Sequence, residues 1–74
     1  MNNQEEAQNA FMINVEFIKN KLELIKSEAD DFFGNVPEDV DWSTAGNVIY
    51  VNHLLGEIME FLNIKDDGAQ NDNQ

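Results

Sequence analysis

The chain has 74 residues, 42% of them hydrophobic, with no cysteine and one histidine. One small domain is the most it holds, and disulfides and a histidine-rich zinc site are excluded as its source of stability. Fifteen Asp and Glu against four Lys and no Arg give a formal net charge of −11, which repels nucleic acid and anionic membranes alike and suits a protein partner, a basic one included.

The opening MNNQEEAQNA has no basic segment leading into an apolar run, and no stretch approaches the roughly 18 apolar residues that span a bilayer. A cytoplasmic protein without membrane contact is the resulting expectation. Residues 1–9 read as a flexible tail or as the projecting end of a helix, with Asn3 as cap and Glu6 returning the contact three residues on.

A helix is predicted over about residues 10–33. Phe11, Val15, Ile18, Leu22, Ile25, Ala29 and Phe32 recur at a 4-3-4-3-4-3 spacing, which sets them on one helical stripe. Ile13, Phe17 and Leu24 form a second apolar patch about 120° away. Glu16 with Lys19 and Glu23 with Lys26 have the spacing of ion pairs along a solvated face. Asp30 and Asp31, by contrast, set negative charge against the C-terminal end of the helix dipole. The stop is expected at Gly34-Asn35, both tolerant of left-handed backbone, with Pro37 just beyond.

A loop over about residues 34–41 leads to a second helix over about 42–64, capped from Asp41 or Ser43, with Val40 and Ala45 placed to pack as a staple. Its apolar residues, among them Val51, Leu54, Leu55, Ile58, Met59 and Phe61, sweep an arc of roughly 240°. Gly46 and Gly56 each weaken such a helix by about 1 kcal/mol relative to Ala, which marks positions for close helix approach. Trp42 has the position of a lid against Phe32 and Phe33 or of an interface anchor. Residues 65–74 have the composition of a disordered tail.

The fold class expected is therefore all-α, an antiparallel two-helix hairpin. One helix cannot cover a 240° arc, and each large apolar side chain left in water forgoes about 1.5–3 kcal/mol. Two hairpins pairing as a homodimeric four-helix bundle would bury the surplus, with Ile13, Phe17, Leu24, Val51, Leu54, Ile58 and Phe61 at the interface. That architecture is similar in outline to the small dimeric hairpins of RNA-binding plasmid regulators, although this acidic chain lacks the basic stripe that RNA binding needs.

Glu28, Asp30, Asp31, Glu38, Asp39 and Asp41 form an acidic tip around the loop. A calcium-binding EF-hand loop is absent there: counting from Gly34 sets Ala29 at the first ligand position and Val40 at the last. His53 falls on the polar side of the second helix beside Glu57, with no nucleophile or substrate pocket indicated. Neither a metal, a cofactor nor catalysis is expected. The function expected is a non-enzymatic, self-associating module that binds or regulates another protein through its acidic tip. The alternative is a DNA-mimicking inhibitor that occupies the basic groove of a nucleic-acid-binding protein.

Overall fold

The computed structural model describes residues 2–66; of the tail expected over 65–74, residues 67–74 lie outside the described residues. It is all-helical, with α1 over Asn3–Asp30 and α2 over Trp42–Phe61, and no strand occurs among the described residues. The chain divides into two units, residues 1–39 and 40–74, each of which is built around one of these helices.

In the first unit α1 begins at Asn3, so its cap, Asn2, lies one residue ahead of the expected one. Asn2 holds extended backbone, and its side-chain oxygen accepts a hydrogen bond from the Glu5 N–H at 2.7 Å. Glu5 and Glu6 then sit in the first turn, where the helix dipole favours negative charge. From Asn3 onward the segment read as tail or helix end is helix. Its 28 residues correspond to about 42 Å of rise.

The helix ends at Asp30, short of the expected Phe33, and the reason lies in its last turn. That turn carries no basic residue, so Asp30 and Asp31 face the negative end of the dipole, and Asp31 becomes the cap instead of a helical residue. The backbone then turns left-handed for three residues, Phe32 at φ 54°, Phe33 at φ 52° and Gly34 at φ 78°. The Gly34 N–H donates to the Asp31 carbonyl at 3.0 Å and the Asn35 N–H to the Phe32 carbonyl at 2.9 Å. Asn35 closes the turn through its side-chain amide, which donates to both the Phe32 and the Phe33 carbonyls at 3.1 Å. Left-handed backbone suits Gly34 but costs a residue with a Cβ roughly 1–2 kcal/mol. A short 3₁₀ turn over Pro37–Asp39 completes this unit.

In the second unit Asp41 caps α2, its carboxylate accepting from the Thr44 N–H at 3.0 Å. Val40 and Ala45, the two residues of the expected staple, line one open concavity with Asp41 and Trp42. The helix stops at Phe61 instead of running to about Ile64. Asn63 turns left-handed at φ 60°; its N–H donates to the Glu60 carbonyl at 3.1 Å, and the Ile64 N–H donates to the Met59 carbonyl at 2.9 Å. This pair of bonds is the Schellman closure, with asparagine in the place glycine usually takes. Among the described residues, nothing beyond the adjoining residues and the helix's own backbone lies within 4 Å of a Cβ placed at Gly46 or Gly56, so the close approach expected at these glycines is not found.

Replacing Phe32, whose left-handed backbone is strained and whose ring is exposed, tests the turn. Phe32→Gly is expected to stabilise the chain by about 1 kcal/mol, read as a higher midpoint of thermal unfolding. A lower midpoint would mean that the ring's packing outweighs the relief of strain.

Candidate interaction surface

None of the described residues is buried. On α1 the main stripe and the second patch both face solvent, with Leu24 68% exposed; only Val15 is half-buried, by the turns of its own helix. On α2, Val51, Leu55 and Met59 are half-buried at a spacing of four residues, while Leu54, Ile58 and Phe61 are exposed, Phe61 to 88%. Trp42 is 83% exposed. Each helix thus has the amphipathic pattern of a core element while its apolar side chains remain in water.

Charged side chains take up local roles. Lys19 pairs with Glu16 at 3.3 Å, as its spacing predicts. Lys26 pairs with Asp30 at 3.3 Å and not with Glu23. Carboxylates stand both three residues before Lys26 and four after it, and the pair with Asp30 brings a cation to the helix end that most needs one. The ammonium of Lys21 lies 5.4 Å from the centre of the Phe17 ring, a cation–π contact that the sequence reading did not include. His53 Nε2 lies 3.1 Å from Glu57 Oε2 on the exposed face of α2, as expected for a surface pair.

The six residues of the expected acidic tip do different things. Glu28 and Asp30 end α1, Asp31 caps it, Glu38 and Asp39 lie in the 3₁₀ turn, and Asp41 caps α2. Among the described residues no group of three or more Asp, Glu, His or Cys is placed to hold a metal ion. Asp41 is the carboxylate with a clear structural task. The Thr44 N–H and then the Thr44 hydroxyl hold its carboxyl below the ordinary value of 3.8.

One further feature escaped the sequence reading. Gln4, Ala7, Gln8, Phe11 and Met12 line an open, mostly apolar concavity on α1. Its signal was available, because Gln4 and Gln8 continue the 4-3 spacing of the stripe backwards from Phe11, but amides at those positions do not register as hydrophobic. No described helix is long and apolar enough to cross a membrane. No known protein family, characterised protein or solved structure matches the chain.

The lowered Asp41 carboxyl fixes a pH dependence. Its support of α2 is fully present above the ordinary carboxyl value and is lost as pH falls through the lowered one. Asp41→Asn keeps a capping oxygen that does not titrate. Circular dichroism from neutral pH to pH about 2 is therefore expected to show an acid-side loss of about one turn of helix in the parent chain relative to Asp41→Asn. Coincident acid profiles would show that the capping bond does not depend on the charge.

Proposed function

We propose that this chain is a non-enzymatic, acidic protein-interaction module that acts as a self-associating helical hairpin and binds or regulates another protein. One observation carries the reading: two long amphipathic helices on which no apolar side chain is buried. Helices of this length draw most of their stability in proteins from packing an apolar face, and little from intrinsic propensity. The faces therefore need cover.

In the proposed arrangement the two helices of a chain pair antiparallel, and two such hairpins join about a two-fold axis as a four-helix bundle. Ile13, Phe17 and Leu24 of α1 and Val51, Leu54, Ile58 and Phe61 of α2 supply the surplus that one hairpin cannot cover. The exposure of all but the half-buried Val51 supports this role. The carboxylates Glu28, Asp30, Asp31, Glu38, Asp39 and Asp41 stay outside the apolar seam and offer the outer contact, which suits a basic protein surface. The lysines interspersed along α1 break up any continuous, phosphate-like row of carboxylates and favour this reading over DNA mimicry.

Thermal unfolding followed at several chain concentrations tests the proposal, because association raises the midpoint with concentration. A rising midpoint is expected. Leu54→Asp should weaken the association by about a hundredfold to ten-thousandfold, the equivalent of one large apolar side chain lost from each of the two copies. A concentration-independent midpoint in the parent chain would sink the reading.

A further inference from the structure

The stripe of α1 is a heptad pattern, with Gln4, Phe11, Ile18 and Ile25 at one core position and Gln8, Val15, Leu22 and Ala29 at the other. All eight lie inside the helix, whereas Phe32 lies in the left-handed turn. Resting on the self-association proposed above, we infer that this stripe binds the same stripe of a second copy, antiparallel, in the register that sets Phe11 against Leu22 and Val15 against Ile18.

Between two copies, charge selects the direction and the register. The chain has four lysines, and three of them, Lys19, Lys21 and Lys26, occupy the positions that flank the stripe. A parallel copy would bring Lys21 of one chain beside Lys26 of the other, twice per dimer, and like charges there oppose pairing. In an antiparallel pair each flank meets its own counterpart instead. The inferred register places Glu5 beside Lys26, Met12 beside Lys19 and Asn14 beside Lys21, so it contains two attractive pairs and no like-charge contact at these flanks. Shifting it one heptad toward the C-terminal end would set Lys19 against Lys19 and Lys21 against Lys21. A shift the other way would leave Ile25 and Ala29 beyond the overlap.

Shape supports the same register. Gln4, Ala7, Gln8 and Phe11 line the concavity on α1, and their spacing of i, i+3, i+4, i+7 is that of the four-residue hole which receives one side chain of a facing helix. Ile25 of the second copy lies opposite Gln8 and is the side chain that enters it. Ala7 keeps the hole open.

A charge exchange between two variants tests the register. Glu5→Lys alone sets Lys against Lys26 in its own dimer, and Lys26→Glu alone sets Glu5 against Glu; mixed, the two variants regain both attractive pairs. Native mass spectrometry of the equilibrated mixture is expected to show heterodimer over homodimers with an exchange constant at least about tenfold above the statistical value. Glu6→Lys mixed with Lys65→Glu changes the net charges identically, away from the flanks, and is expected to mix statistically. Statistical mixing of the first pair, equal enrichment of both pairs, or a parent dimer with no dimer in the first mixture would overturn the register and leave self-association standing. A parent chain that is monomeric in the same instrument would overturn both.

Discussion

The contact of water with the apolar faces of α1 and α2 is the constraint on which the rest of this structure depends. A helix satisfies its backbone hydrogen bonds internally, so each helix of this chain is complete in its polar chemistry once its ends are capped. What is incomplete is its apolar chemistry. Side chains such as Leu24 and Phe61 have no cover, and the hydrophobic effect acts on them whatever else the chain does. Without cysteines no disulfide stands in for that cover.

Polar residues, in turn, serve mainly to define where the helices begin and end. Asn2 and Asp41 start them, and Asn63 ends α2 through a left-handed residue. The end of α1 is different in kind. Acidic residues oppose its dipole, one lysine offsets Asp30, and the chain leaves through a turn held at two phenylalanines by the carboxamide of Asn35. The turn is closed by local hydrogen bonds that follow directly from the neighbouring sequence. Its strain is small beside the apolar area that the helices leave open.

Much of this is legible in the residues themselves. The 4-3 repeat from Phe11 to Ala29 specifies α1, and the cap candidates Asp41 and Ser43 bracket the start of α2, because periodicity and capping are local properties of a sequence; of the two caps, the structure uses Asp41. The Glu16–Lys19 and His53–Glu57 pairs follow from spacing alone. Three details do not. The stripe continues to Phe32, but two adjacent carboxylates end the helix before it. Lys26 has two carboxylates within reach, and spacing does not choose between them. Gln4 and Gln8 extend the stripe although composition classes them as polar. Of the seven residues expected at an interface, six are exposed on their helices and Val51 is half-buried; the acidic residues fall on separate structural tasks, so the word "tip" describes their place in the sequence more than a shared geometry.

A module of this kind would present an apolar seam to its own copy and carboxylates to everything else, which separates assembly from recognition: apolar side chains carry the first and charge steers the second. The claim that the seam exists is tested most directly by sedimentation equilibrium of the whole chain at tens of micromolar in physiological salt. The account predicts the mass of two chains with a helical spectrum. The mass of one chain with the same helical spectrum would contradict it.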